Sequence, residues 1–202
     1  MARDVAPPSS ARRDEILELA YRYVLDQGIG AMSLRPLAAA VGSSPRVLLF
    51  LFGSKDGLVR ALLARARREE LELLDQLAAT GRHRDLPAVA NAIWEWLSAP
   101  EHRALLRLWA EGYGRSLVEP DGPWAGFAMA TVHDWLELLA AAQPARVRNS
   151  AAGVAERTLT LALLRGALLD LLATDDRERV TAAVARHVAG LGRARAPAAG
   201  RR

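Results

Sequence analysis

The sequence predicts an all-α protein, and three observations carry that expectation. Apolar residues recur at helical spacing in one segment after another, beginning with Ile16, Leu17, Ala20, Tyr21 and Val24. Helix punctuation separates the segments: Ser33, Ser44, Ser54 and Asp85 stand where N-caps belong, and Gly28, Gly42, Gly53 and Gly81 stand at ends. No stretch of useful length alternates apolar and polar residues as a strand would.

A chain of 202 residues can hold one or two domains and a substantial core. Apolar residues make up 51% and charged residues 25%, the proportions of a soluble globular protein. There is no cysteine, which excludes disulfides and thiolate metal sites and fits a reducing compartment. No apolar run is long enough to span a bilayer, and the N-terminal MARDVAPPSSARRDE lacks a signal-peptide core, so a cytoplasmic protein without membrane contact is expected. The net charge is +4 and unevenly spread. Residues 1–68 carry 11 Lys/Arg against 6 Asp/Glu, whereas residues 69–202 carry 16 against 17. The positive excess therefore lies in the first third, as in a domain that faces phosphates.

Taken in order, residues 1–10 read as an arm whose Arg3, with Arg12 and Arg13 beyond it, could reach a DNA backbone or minor groove. Ser10 to Gln27 is an amphipathic helix ended by Gly28 and Gly30. Ser33 can cap a helix over Leu34–Val41, with Leu34, Leu37, Ala38 and Val41 as its apolar stripe and Gly42 as its stop. Ser44 caps the next, with Pro45 in its first position and Val47, Leu48 and Leu51 expected in the core. Gly53 ends it, and Ser54 caps a third helix starting at Lys55, the one lysine of the chain. Two short helices joined by a glycine turn form a helix-turn-helix, whose second helix enters the major groove of DNA.

The stretch resembles the DNA-binding domain of the TetR family of bacterial transcription regulators. The likeness runs from Arg13, Ile16, Leu17 and Ala20 through Gly28 and Ser33, then Leu37, Ala38, Val41 and Gly42, to Phe52, Ser54, Lys55 and Leu58. It covers the first quarter to third of the chain. Two departures stand out. The family usually has a small residue and Thr or Ser where this chain has Arg46 and Val47. It usually has Tyr, often followed by His, at Leu49 and Phe50, and that Tyr commonly holds a phosphate. Leu49 cannot, so backbone anchoring must lean on other groups such as Lys55.

The remainder predicts a helical body. Lys55 to Thr80 reads as one long helix, followed by a polar loop at Gly81. Asp85 caps a helix to Ser98, and further helices are expected over Glu101–Leu117, Trp124–Ala142, Arg146–Ala173 and from Asp175 or Asp176 to Leu191. That makes about nine helices, divided into a helix-turn-helix domain at 1–54, a ligand-binding and dimerisation domain at 55–192, and a disordered tail at 193–202. The Arg146–Ala173 helix is apolar nearly all round and needs more than one neighbour to cover it. The resemblance implies that the last two helices pair with their copies in a homodimer, through residues such as Leu159, Ala162, Gly166, Leu169, Val184 and Val188.

Nothing in the sequence points to catalysis. His83, His102, His133 and His187 are scattered, no metal-ligand spacing occurs, and no phosphate loop or nucleophile elbow is present, so neither catalytic residues, metal nor cofactor is expected. All five tryptophans fall between residues 94 and 135. Aromatic residues fill ordinary cores as well as pockets. Because the family binds small molecules in this region, the resemblance makes Trp94, Arg107, Trp109, Glu111, Tyr113, Trp124, Phe127, His133 and Trp135 the candidate pocket. The expected function is a ligand-responsive repressor binding a near-palindromic, double-stranded operator as a dimer. Ser33, Arg35, Ser44 and Lys55 are the candidate backbone contacts. Arg46 is placed on a guanine edge or a phosphate, Pro45 and Phe50 on apolar or shape contacts, and Leu49 is counted with them among the DNA-binding residues. The alternative is a helical ligand-binding dimer of the same fold with weak or lost DNA binding.

Overall fold

The computed structural model describes residues 9–30, 32–79 and 85–193. Ten α-helices and one 3-10 turn make up the described regular structure: α1 Ser9–Gln27, α2 Leu34–Ala40, α3 Pro45–Phe52, α4 Lys55–Ala79, α5 Leu86–Leu97, a 3-10 turn at Pro100–His102, α6 Arg103–Val118, α7 Phe127–Ala141, α8 Ala145–Arg148, α9 Ala151–Thr174 and α10 Arg177–Arg193. The all-α class stands. Arg3, the loop from Gly81 to Arg84 and the chain beyond Arg193 lie outside the described residues. Gly192 and Arg193, expected to lie beyond the last helix, belong to α10.

The chain forms two compact units. The first runs to Glu69 and takes in Ala104–Ala128, so the helix-turn-helix shares a unit with the start of α4 and with α6. Its core is the inner face of α1 (Ile16, Leu17, Ala20, Tyr21, Val24) with Leu37, Ala38, Leu48, Phe52, Leu58 and Leu62. Each fully buried aliphatic side chain contributes about 1.5–3 kcal/mol. This burial, rather than propensity, holds helices as short as α2 and α3, which would be marginal alone. Gly112 lets α6 come close: a Cβ there would stand 3.0 Å from Leu63 and 3.2 Å from Phe127.

The second unit comprises Glu70–Arg103 and the chain from Met129 onward. Within it α10 packs on α5 and α9, and α5 on α9. Trp94 donates its indole N–H to Thr181 at 3.0 Å, and Trp135 donates to Glu70. Arg179 makes a two-pronged pair with Asp170, at 2.7 and 2.9 Å, across the α9–α10 corner. That pair lowers the Asp170 pKa.

Several boundaries differ from expectation for identifiable reasons. The helix expected from Trp124 begins at Phe127, because residues 122–125 form turns and Gly126 takes φ +74°. Ser116 then accepts the Ala128 N–H at 3.2 Å. The single helix expected over Arg146–Ala173 is broken after Arg148: Ser150 takes an extended conformation and caps α9 through the Gly153 N–H at 3.0 Å. At the last corner Asp175 adopts a left-handed conformation and closes α9, leaving Asp176 to cap α10 through the Arg179 N–H. Ser33 occupies the N-cap position of α2, yet its hydroxyl takes no capping bond and only its carbonyl accepts, from Leu37. Val47 is not core. It is 38% exposed, Leu51 is half-buried, and the inner face of α3 is Leu48 and Phe52.

Candidate nucleic-acid interface

The α2–α3 turn is built by backbone bonds. Gly42 takes φ +62°, its N–H reaches the Ala39 carbonyl, and the Ser43 N–H reaches the Ala38 carbonyl at 2.8 Å, the paired closure of a Schellman end. Ser44 then accepts the Val47 N–H at 3.3 Å, with Pro45 in the first turn, where no N–H is missed. Gly53, at φ +78°, ends α3, and Ser54 caps α4 through the Gly57 N–H at 2.9 Å. This register decides which α3 side chains face water. Leu48 and Phe52 turn inward, and Arg46, Val47, Leu49 and Phe50 turn out.

The site residues expected from the sequence are accordingly placed as follows. Ser33, Arg35, Ser44, Arg46, Leu49, Phe50 and Lys55 are exposed and Pro45 is half-buried. Val47 is the outward residue that the sequence reading assigned to the core. Arg13 lies with its guanidinium 5.1 Å from the centre of the Phe52 ring and 3.8 Å from Asp14, and Arg12 pairs with Glu15.

Two clusters brace this surface, and both join residues too distant in sequence for spacing to reveal. Tyr21 of α1 donates to Glu69 of α4 at 3.0 Å, while Arg65 bonds both Glu18 and Glu69 and sits 4.6 Å from the Tyr21 ring. Burial, reinforced by Glu69, raises the Tyr21 pKa well above that of free tyrosine, and the bond to Glu18 raises that of Arg65. In the second cluster Glu111 of α6 accepts the Ile29 N–H at 3.2 Å and lies against Gly30, where a Cβ would come within 1.9 Å of its carboxylate. Glu111 was expected as a pocket group. Here it ties α6 to the loop between α1 and α2.

The other pocket candidates divide between the units. In the first, Trp109, Trp124 and Phe127 are buried, Tyr113 is half-buried and Arg107 is exposed. The Trp109 and Tyr113 rings lie 4.9 Å apart, and Arg115 lies 5.2 Å from the Trp124 ring centre. In the second, Trp94 and Trp135 are buried and His133 is exposed. Of the residues expected at a dimer contact, Leu159, Ala162, Gly166 and Leu169 are exposed on α9, whereas Val184 and Val188 are buried within the unit where α10 packs on α5 and α9. Among the described residues no group of three His, Asp or Glu side chains could hold a metal ion, and no helix is long and apolar enough to cross a membrane.

The helix-turn-helix with these positions matches a known pattern. Residues 16–62 fit the model of the bacterial regulatory proteins of the tetR family. Over that stretch the chain is similar to the DNA-binding domain of the TetR family. Solved structures extend the likeness beyond the matched residues. A TetR-family transcriptional regulator from Streptomyces coelicolor is 24% identical and superposes with a TM-score of 0.72, over 94% of this chain and 91% of that one. The multidrug binding protein EbrR complexed with imidazole is 26% identical, with a TM-score of 0.64 over 93% of each chain. A TetR transcription regulator from Haloarcula marismortui, 17% identical, shares the fold with a TM-score of 0.68, over 90% of this chain and 98% of that one. No curated protein sequence matches the chain.

Proposed function

We propose that this chain is a cytoplasmic transcriptional repressor of the TetR family that binds a near-palindromic operator as a homodimer and releases it when a small molecule binds. One observation carries the reading. The α3 face presents Arg46, Leu49 and Phe50 to solvent, and Arg35, Arg46 and Lys55 are exposed cations that no ion pair engages among the described residues. Arg46 can bond a guanine edge with two donors, and Lys55, at the start of α4, meets a phosphate. The apolar outer face of α9, with Leu159 60% and Leu169 52% exposed around Ala162 and Gly166, supports self-association. Two-fold symmetry then implies two half-sites in successive major grooves. Effector binding is supported by the likeness to EbrR, which is solved with imidazole, proflavin and ethidium. The aromatic residues Trp109, Tyr113, Trp124 and Phe127 of the first unit and Trp94 and Trp135 of the second, with Arg107, Glu111 and His133, are the proposed effector groups. An effector lowers operator affinity only by its differential affinity for the two states.

The test is selection of duplexes from random sequence, followed by affinity against salt. An enriched inverted repeat with a steep salt slope is expected. Lys55→Ala should weaken every duplex alike and reduce the slope by about 1, whereas Arg46→Ala should relax specificity at one base pair. A second reading has its own observation. Leu49, 40% exposed, offers no group to a phosphate, as in a ligand-binding dimer that has lost DNA binding. Weak binding with no enriched sequence would point to that reading instead.

A further inference from the structure

The chemistry of α3 points to what its second turn recognises, an inference that rests on the DNA-binding reading and deepens it. At 3.6 residues per turn, Phe50 stands about 40° and Leu49 about 60° around the helix axis from Arg46, so the three share one face. Phe50 is 81% exposed and Leu49 40%, while Leu48 and Phe52 on the opposite side supply the packing. The outward surface of the second turn therefore holds no hydrogen-bond donor or acceptor on its side chains. The same helix-turn-helix nevertheless carries Arg35, Arg46 and Lys55, exposed cations with no ion pair among the described residues, which suit a polyanion. A polyanion whose groove also displays apolar groups satisfies both features. In the major groove the apolar group is the thymine C5 methyl, whereas the edges of guanine, cytosine and adenine would bury polar atoms against Phe50 and Leu49 without partners.

We infer that Leu49 and Phe50 read thymine methyl groups, so that each half-site requires T·A pairs beneath the second turn of α3, beside the position met by Arg46. Specificity at those pairs comes from shape and methyl burial, and the phosphate grip comes from these cations.

The experiment uses the full chain and the duplex enriched from random sequence, with each thymine replaced singly by deoxyuridine. This removes one methyl and leaves pairing and the polar edge intact. At one or two positions in each half-site the substitution should weaken binding about fourfold, the worth of one buried methyl-sized group. Phe50→Ala or Leu49→Ala should abolish the difference between thymine and uracil at its own position while leaving the thermal melt unchanged, since both side chains are exposed. Indifference of the wild-type chain to uracil at every position, or a uracil effect that survives both substitutions, would overturn the inference and leave DNA binding standing. Failure to enrich any duplex would overturn DNA binding and the inference together.

Discussion

Replacing Gly57 by alanine should destabilise the first unit, although the same change elsewhere in a helix usually helps. A Cβ at Gly57 would lie 2.0 Å from the carbonyl oxygen of Phe52 and 3.2 Å from its carbon. Carbon and oxygen in contact settle at about 3.3–3.6 Å, so the overlap exceeds roughly 1 Å. The obstructing atom is backbone, at the last residue of α3, and it cannot swing aside because Phe52 is buried. Overpacking costs about 1–3 kcal/mol, against a helix-propensity gain of at most about 1 kcal/mol. A rigid obstruction puts the cost at the upper end, giving a net loss of about 2 kcal/mol. Gly114, in α6 of the same unit, supplies the control: nothing lies within 4 Å of its Cβ position, so alanine there should gain about 0.5–1 kcal/mol. Equilibrium urea unfolding followed by tryptophan fluorescence reads both. With a slope of about 2 kcal/mol/M, the midpoint should fall by about 1 M for Gly57→Ala and rise by about 0.3 M for Gly114→Ala. A Gly57→Ala chain that unfolds at or above the wild-type midpoint would refute the steric argument for the α3–α4 corner.

Three further outcomes follow from the same structure. Ser44→Ala should cost about 1 kcal/mol in thermal unfolding because it removes the cap on the Val47 N–H, whereas Ser33→Ala should change stability by only a few tenths, since that hydroxyl caps nothing. Equal losses would contradict the difference seen in the two caps. Leu159→Glu places a charge on an exposed position, so the protomer should fold normally but sediment as a monomer; a persistent dimer mass would count against α9 as the contact. The raised pKa of Tyr21 means the folded state holds the phenolic proton more tightly than the unfolded chain. Its stabilisation is therefore complete below about pH 10 and lost as pH rises beyond that value, and Tyr21→Phe should flatten this alkaline decline. Stability titrations of the two chains that ran parallel above pH 10 would remove Tyr21 as the cause.

The helix-turn-helix was legible in the sequence because its signals are local. Gly42, Ser44, Pro45, Gly53 and Ser54 dictate turns and caps through their own backbone preferences, and these boundaries fell within a residue of the structure. Where a longer-range partner intervened, local reading failed. The Arg146–Ala173 segment has unbroken helical composition, yet the Ser150 cap and the Gln143 amide bound to the Gly153 carbonyl interrupt it. Phe127 starts α7 because the turn at Gly122–Gly126 delays it and a serine from α6 caps the new start. Val47 looked like core by apolarity and proved to be surface by phase, since the single inner line of α3 goes to Leu48 and Phe52.

Taken alone, the sequence determined the all-α class, the helix-turn-helix and its cations, because periodicity, capping and charge act within a few residues. Only the tertiary structure decided which groups answer one another across the chain. Glu111 is met by Ile29 and Gly30 from 82 and 81 positions away, and Tyr21 by Glu69 from 48. It likewise decided that Val184 and Val188 are spent inside the protomer while Leu159 and Leu169 remain outside. Burial is a property of packed neighbours, and no local pattern says which of two apolar stripes a helix will turn inward.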